Sequence, residues 1–398
     1  MAKKKTKNDL DLLLEIAGDT GGESLRSAGV VPYFIDSGNL ALNFELSGKF
    51  IPGGFPGGRI IEALGPEASG KSLLGYCFMG SVQRMSGIAI HLDCERAAGA
   101  EFAERCGHVD PDSLITYYPI TLQQVEKKVV TVVKRVRSVF PDRPIGIVWD
   151  SIGVNPTDRE WGETELPENP TAAQIKEAGG HERPGERARV ANGLLRKLNP
   201  FLAENNATLY IINQVRKKIG VMFGSDEIGS GGGEALKYYA SIRMRCGAPR
   251  EFQDKKTKFP LGVNMTLKNK KNRHFTPGLK IENVPLFFDT GIHPTGGLVE
   301  CLFMAGRISG AAPNWVVEPK WAGSEAKSNK FKNAKASPLK SEVLFDHPAL
   351  VDADNAEEVV AYLSEWSNAM QQALGDNVEQ IAKSGQEEAD VSHLVGDG

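Results

Sequence analysis

RIIEALGPEASGKSLLGYCFMGSVQRM, residues 59–85, runs three kinds of sequence together. RIIEAL reads as a short buried strand and SLLGYCFMGSVQRM as a helix. Between them GPEASGKS (65–72) satisfies the pattern G-x-x-x-x-G-K-[ST] in the strand-to-helix setting that the pattern requires. Glycine lets backbone N–H groups and a helix N-terminus close around phosphate oxygens. Gly65, Pro66, Glu67, Ala68, Ser69 and Gly70 are therefore expected to line a nucleoside triphosphate site, with Leu73 opening the helix behind them. Lys71 is expected to neutralise the phosphates and Ser72 to ligate Mg²⁺.

The same alternation of apolar strand and helical sequence extends outward. IAIHLD (88–93), IGIVWD (145–150) and TLYIIN (208–213) are nearly continuous apolar runs, and LQQVEKKVVTVVKRVRSVF (122–140) is a helical segment between two of them. Such strands belong to a parallel sheet covered on both faces, so the fold class is α/β and doubly wound. ASIRMRC (240–246), VNMTLKN (263–269) and LKIENVPLFFD (279–289) follow without helices between them, and are expected to extend the sheet antiparallel.

Four regions are expected. Residues 1–35 form an arm in which LDLLLEI (10–16) is a short amphipathic helix behind Lys3, Lys4 and Lys5, suited to docking on a neighbouring subunit. Residues 36–290 form the core. Residues 291–374 form a small C-terminal α+β domain ending in the helix AEEVVAYLSEWSNAMQQAL (356–374), and 375–398 an acidic tail. The net charge of -3 hides a gradient: residues 351–398 hold eleven acids and the single base Lys383, which leaves the first 350 residues at +7. A basic body of this kind suits a polyanionic partner. No apolar run of membrane-spanning length is present and MAKKKTKNDL lacks a signal-type core, so a cytoplasmic protein without a membrane partner is expected. The five cysteines show no zinc or CxxC spacing and read as reduced core thiols.

In an open parallel sheet, ligands collect beyond the carboxyl ends of the strands. Three strands deliver polar residues there: Asp93 and Glu95, Asp150 and Ser151, and Asn213 and Gln214. Asp150 closes an apolar strand, the form of a carboxylate that holds the water shell of Mg²⁺. Glu95 is then placed to orient or deprotonate water. Gln214 leads directly into VRKKIGVMFGSDEIGSGGGEALKYY (215–239), where Arg216, Lys217 and Lys218 abut the apolar Ile219, Val221, Met222 and Phe223 and then a glycine cluster. Bases beside apolar wedges suit a loop that grips phosphates and inserts between nucleobases.

With these residues in hand, the chain resembles the RecA family of DNA recombinases. The resemblance rests on GPEASGKS, HLDCE (91–95), VWDS (148–151), INQVRKKIGVMFG (212–224), GGEALKYYASIR (232–243) and LKNK (267–270), and covers roughly residues 36 to 300. It implies a P-loop NTPase core with a mostly parallel sheet, and a cytoplasmic protein that uses ATP and Mg²⁺ to form a helical filament on single-stranded DNA and exchange strands with duplex DNA. Single-strand-binding or loader proteins are implied as further partners.

By position, Lys71 and Ser72 match the ATP and Mg²⁺ ligands, Glu95 the catalytic glutamate, Asp150 and Ser151 the second nucleotide motif, and Gln214 the residue that couples the γ-phosphate to DNA. Residues 215–235 match a DNA-binding loop, with Arg216, Lys218, Gly231 and Gly232 as phosphate contacts and Ile219, Met222 and Phe223 against the bases. Phe102 matches a base-stacking aromatic, whereas the acid that accompanies it in the family falls on Gly99. Lys268 and Lys270 match cations that reach the ATP of the adjacent subunit. The region from about 155 to 187 is longer than its counterpart, and the divergent ends with GIHPTGGL (291–298) are similar to phage-encoded members, which implies a host cytoplasm. A helicase-type motor on the same core would share Lys71, Glu95 and Asp150. A filament accessory protein that binds ATP without hydrolysing it would have no use for Glu95.

Overall fold

The computed structural model describes residues 9–22, 30–162, 185–217, 227–229, 234–254, 256–304, 306, 308–311, 314–317 and 330–332. In chain order, helix α1 (Asp9–Asp19), strand β1 (Phe34–Ile35), α2 (Leu40–Ser47) and β2 (Phe55–Pro56) precede β3 (Ile60–Gly65) and α3 (Lys71–Arg84). There follow β4 (Ile88–Asp93), α4 (Ala100–Gly107), β5 (Ile115–Tyr117), α5 (Leu122–Val139), β6 (Ile145–Asp150), α6 (Asp158–Trp161), α7 (Glu186–Glu204), β7 (Ala207–Lys217) and β8 (Glu227–Gly229). The last part holds α8 (Ala235–Tyr239), β9 (Ile242–Cys246), β10 (Arg250–Gln253), β11 (Pro260–Asn272), β12 (Lys280–Phe287), β13 (Gly291–Ile292) and α9 (Leu298–Met304). β14 (Ile308–Ala311), β15 (Asn314–Val317) and β16 (Lys330–Lys332) form a separate antiparallel sheet.

Local chemistry explains the long helices. Thr121 caps α5 by accepting from the Gln124 amide, and Leu122, Val125, Val129, Val132, Val133 and Val136 form its buried stripe at helical spacing. The main sheet runs β13-β12-β11-β9-β3-β7-β6-β4-β5, with β10 on β11 and β8 on β7. Its six strands from β9 to β5 are parallel. One face packs residues of α2, α3 and α9, among them Leu42, Leu74, Phe78 and Leu302. The other packs α5, α7 and α8 through residues such as Val129, Leu195 and Leu236.

Three expectations are corrected. Ile242–Cys246 extends the sheet parallel to β3 rather than antiparallel, because α8 is a short crossover that returns the chain to the start of that strand: the Ser241 amide bonds the Ile60 carbonyl at 2.8 Å. Only β11 and β12, with the short flanking strands β10 and β13, run antiparallel. The core does not stop at 290, since β13 pairs with β12 and Leu298, Cys301 and Leu302 are buried in the same cluster as α3. Turn-rich TGIHPTGG is a bend inside the core. Finally, β7 continues to Lys217 and pairs with β8, whereas residues from 215 onward read as loop. The expected helix 356–374 and tail 375–398 lie outside the described residues.

At the centre of the sheet lies a group that the apolar reading of RIIEAL passes over. Glu62 on β3 is 1% exposed, and its carboxylate accepts from Asn213 Nδ2 on β7 at 2.8 Å and from Arg243 Nε on β9. One buried anion thus ties three adjacent parallel strands. Removing one partner of such a pair leaves an uncompensated charge, at a cost of about 3–5 kcal/mol. Arg243→Met is expected to lose about that much stability in urea unfolding, and Glu62→Leu with Arg243→Met to recover a large part of it. A single variant as stable as the wild type would show that the buried carboxylate does not depend on Arg243.

Candidate functional site

The phosphate loop begins where β3 is held on both sides. Gly65, its last residue, pairs with Gln214 of β7, and a Cβ there would come within 2.5 Å of the Cys246 carbonyl on β9. Only glycine fits that approach. The turn then uses a left-handed residue at Ala68 (φ 56°) and another at Gly70 (φ 85°), which opens α3 with no side-chain cap on the helix amides. These amides are the anion-binding end of a helix fourteen residues long. Lys71 folds back over the loop, donating to the Pro66 carbonyl and, at 3.3 Å, to Ser69 Oγ. Burial draws its ammonium below the usual lysine range, while the carboxylates of Asp150, Glu95 and Glu67 pull the other way. Ser72 is exposed at the start of α3, and Leu73 is buried behind the loop.

The acids come from the strands beyond β7. Asp93 and Asp150 lie opposite one another at the ends of β4 and β6. Asp93 is buried and accepts from the amides of Ala97 and Ala98, both at 3.2 Å, so it shapes the turn into α4. The Asp150 carboxyl is pushed up to about 6, first by burial and then by the charges of Glu95 and Asp93, against the Ser72 hydroxyl and Lys71. Glu95 is exposed, and its Oε1 accepts from Ser151 Oγ at 2.6 Å and from Gln214 Nε2 at 3.4 Å. One carboxylate oxygen therefore gathers Ser151, just beyond β6, and Gln214, within β7. Asn213, the other polar residue closing β7, points to the opposite face and is occupied by Glu62.

Phe102 on α4 is 37% exposed and meets Tyr76 of α3 edge-on, with ring centroids 6.2 Å apart. Tyr76 in turn meets His91 of β4 at 5.9 Å, and burial followed by the charges of Asp150 and Asp93 pushes its phenol up to about 12. At Gly99 an added Cβ would meet only Phe102 Cβ, at 3.8 Å, so the space before Phe102 is open. Sequence reasoning missed this aromatic chain, although Tyr76 falls one helical turn after Ser72. It missed also a cleft of about 350 Å³ beside Glu95, whose walls include Asp93, Cys94, Arg96, Tyr118 and Trp161. There the Arg96 guanidinium lies over the Tyr118 ring at 5.1 Å.

Lys268 and Lys270 are both exposed on β11, which β9 separates from β3 in the sheet order. Asn269 between them is fully buried, and its amide donates to Glu45 Oε1 of α2 at 2.9 Å. A register irregularity between Asn269 and Lys271 sits at the same point. Met265, on the inward side of the strand, is where a Cβ on Gly70 would collide, at 2.8 Å. The inward side of β11 thus backs the chain's own loop, and Lys268 projects from the other side. Of the expected DNA contacts, Arg216 has its backbone paired with Ile228 in the β7–β8 ribbon. Lys218, Ile219, Met222, Phe223, Gly231 and Gly232 lie outside the described residues.

A phosphate loop between a parallel strand and its helix, with acids at neighbouring strand ends and a glutamine reaching one of them, defines a P-loop nucleotide-binding protein of the α/β class. The sequence profile of the RecA N-terminal domain matches residues 27–152 and 167–293, and the chain belongs to the RecA family. It is 29% identical to protein RecA of Thermus thermophilus over 384 residues, covering 95% of this chain and 99% of that one. Protein RecA of Corynebacterium urealyticum is 33% identical over 315 residues (78% and 76%), and that of Rhizobium leguminosarum bv. viciae 34% over 277 residues (69% and 70%). The chain is accordingly an ATP-dependent DNA recombination and strand-exchange protein, and a DNA-dependent ATPase. No helix among the described residues is long and apolar enough to cross a membrane.

The raised Asp150 carboxyl has a thermodynamic signature. Its ordinary value is 3.8 and its folded value about 6, so between these the native state binds the extra proton and stability falls as pH rises. In protein free of nucleotide and divalent cation, Asp150→Asn is expected to remove that fall and to gain up to about 3 kcal/mol at pH 7 over the wild type. Urea unfolding at pH 4 and pH 7 measures the difference, and equal pH slopes in the two proteins would show that Asp150 is not held in this way.

Proposed function

We propose that the chain polymerises as a helical filament on single-stranded DNA, searches duplex DNA for homology, and hydrolyses ATP at the boundaries between its copies. The observation that carries this reading is the Gln214–Glu95 hydrogen bond, because Gln214 is also the residue from which the DNA-binding segment departs. A strand end that touches the hydrolytic carboxylate and continues into a basic, apolar and glycine-rich segment can transmit DNA occupancy to the γ-phosphate. In this reading Arg216, Lys218, Gly231 and Gly232 hold DNA phosphates, while Ile219, Met222 and Phe223 separate base steps.

The loop amides and Lys71 bind the triphosphate, and Phe102 offers its exposed face to the base. Glu95 orients the attacking water and takes its proton, held in place by Ser151 and Gln214. A hydroxyl and a carboxylate from Ser72 and Asp150 are hard oxygen donors of the kind Mg²⁺ takes, Asp150 through water. The bound cation would supply neutralisation of phosphate charge. Lys268 and Lys270 complete the site from the next copy. The outward direction of Lys268 supports this, since buried residues of the same strand back the chain's own loop. The exposed Leu12, Leu13, Leu14 and Ile16 of α1 support docking of the arm on a neighbour. We further infer a phage-encoded subtype acting in a host cytoplasm, on the divergent ends and GIHPTGGL.

ATP turnover measured with and without single-stranded DNA tests the core of this reading. DNA is expected to stimulate the wild type, Glu95→Gln to abolish turnover while DNA binding persists, and Gln214→Ala to keep basal turnover but lose stimulation. Turnover indifferent to DNA would sink the coupling assigned to Gln214. Cations supplied in trans accelerate comparable phosphoryl transfers by about 10³- to 10⁵-fold. Lys268→Ala is therefore expected to bind ATP and DNA yet turn over at least ~10-fold more slowly, and wild-type rates would remove Lys268 from the site.

A further inference from the structure

Lys268 and Lys270 are held on β11 in different ways. Lys268 stands in register between Arg245 of β9 and Lys280 of β12. Lys270 has no register partner on either strand: the pairing with β9 passes from Asn269 opposite Met244 to Lys271 opposite Arg243, and the register with β12 ends at Lys268. Two residues of β11 thus oppose one of β9, the geometry of a bulge, which bends its strand and re-aims a side chain. Whatever holds Asn269 and Asn272, on either side of Lys270, therefore fixes where that lysine stands.

Both asparagines are held by the end of α2. The Asn269 amide is shared between the Leu279 carbonyl and Glu45 Oε1, each at 2.9 Å, and the Asn269 side chain donates to the Glu45 carbonyl at 3.4 Å. Asn272 Nδ2 donates to the carbonyls of Glu45 and Leu46 at 3.2 and 2.9 Å, while its Oδ1 accepts from the amides of His274 and Phe275. Carbonyls in the last turn of a helix have no partner within it, and these two side chains supply one. α2 stops here at Gly48, which is left-handed (φ 75°) and lies so close to the Phe275 ring that a Cβ would meet it at 2.7 Å. Glu45 is thus the common partner of Asn269 and Asn272.

A carboxyl is a costly choice at this position. Glu45 is 1% exposed, and burial pushes its carboxyl well above the ordinary range against the pull of the Asn269 amide. Its Oε2 and the Asn269 Oδ1 are both buried without a hydrogen-bond partner among the described residues. A buried polar atom left unmet costs stability that an apolar side chain would not. Packing therefore does not call for a glutamate here, whereas the amide at the edge of the bulge calls for an acceptor.

We propose that Glu45 is a positioning residue for phosphoryl transfer, pinning the bulge of β11 to the end of α2 so that Lys270 is aimed at the nucleotide held by the adjacent copy. The proposal rests on the trans-acting reading of Lys270. It adds that a helix of the lysine's own copy sets the geometry that this cation offers to its neighbour.

The test is DNA-stimulated ATP turnover by Glu45→Ala, Glu45→Gln, Lys270→Ala and the double variant Glu45→Ala with Lys270→Ala. Glu45→Ala is expected to lose at least ~5-fold in kcat, with KM for ATP and affinity for single-stranded DNA unchanged, because a misplaced catalytic group slows chemistry without weakening binding. Glu45→Gln keeps an acceptor for the Asn269 amide and is expected to recover most of that loss. The double variant is expected to be no slower than Lys270→Ala, since a residue that acts through Lys270 has nothing left to position; a purely structural residue would add its own loss. Wild-type kcat in Glu45→Ala beside a slow Lys270→Ala would overturn the role of Glu45, as would additive losses in the double variant or a Glu45→Gln as slow as Glu45→Ala. Wild-type kcat in Lys270→Ala would instead overturn the trans reading of that lysine, and the proposal with it. Should Glu45→Ala lose its cooperative unfolding transition, Asn272→Ala, which frees the same carbonyls, replaces it in the cycle with Lys270→Ala, with the same outcomes.

Discussion

Glu62 sits in the middle of the strand that delivers the phosphate loop, and its carboxylate is shared by Asn213 of β7 and Arg243 of β9. A carboxylate 1% exposed is tolerated only when its oxygens are met, so the three strands cannot slide independently without stranding a charge. What each strand carries next makes this constraint important. β3 ends in Gly65, β7 proceeds from Asn213 to Gln214, and β9 proceeds from Arg243 to Arg245. The loop, the residue that reaches Glu95 and the outward cation are therefore held in mutual register by one buried ion.

The groups around the loop gather at one end of this frame. Lys71, Asp150, Glu95 and Gln214 gather around the loop at the ends of β3, β6, β4 and β7, with the aromatic chain Phe102–Tyr76–His91 beside them. Lys268 and Arg245 project from the opposite side of the sheet, behind the residues that back the loop. Period-two alternation is the cause: in a strand whose inward residues pack on the loop, the next residue must point away.

Much of the fold was legible because its signals are local. Apolar runs without polar alternation marked β4, β6 and the first part of β7, and the valine spacing of residues 122–140 marked α5 to within one residue. The misreadings arose where a distant partner decides. Residues 242–246 run parallel because α8 recrosses the sheet, and nothing in ASIRMRC encodes which neighbour it meets. Residues 291–302 have turn-rich and helical sequence that suits a new domain, yet Leu298 and Leu302 find their cover in the core. Asp93 and Asn213 also close apolar runs, and their hydrogen-bond partners assign them to a turn and to Glu62.

By itself the sequence determined the chemistry that depends on neighbours along the chain: a glycine-framed turn between strand and helix, an acid closing an apolar run, and a glutamine opening a basic segment. These are legible because backbone conformation and side-chain type act over a few residues. Tertiary structure alone decided which strands lie side by side, that Glu95 meets both Ser151 and Gln214, and that Arg245 stands against Lys268 on the face away from the loop. Those outcomes follow from long-range pairing and from the cost of burying Glu62 unpaired, and such terms have no signature within any short window of residues.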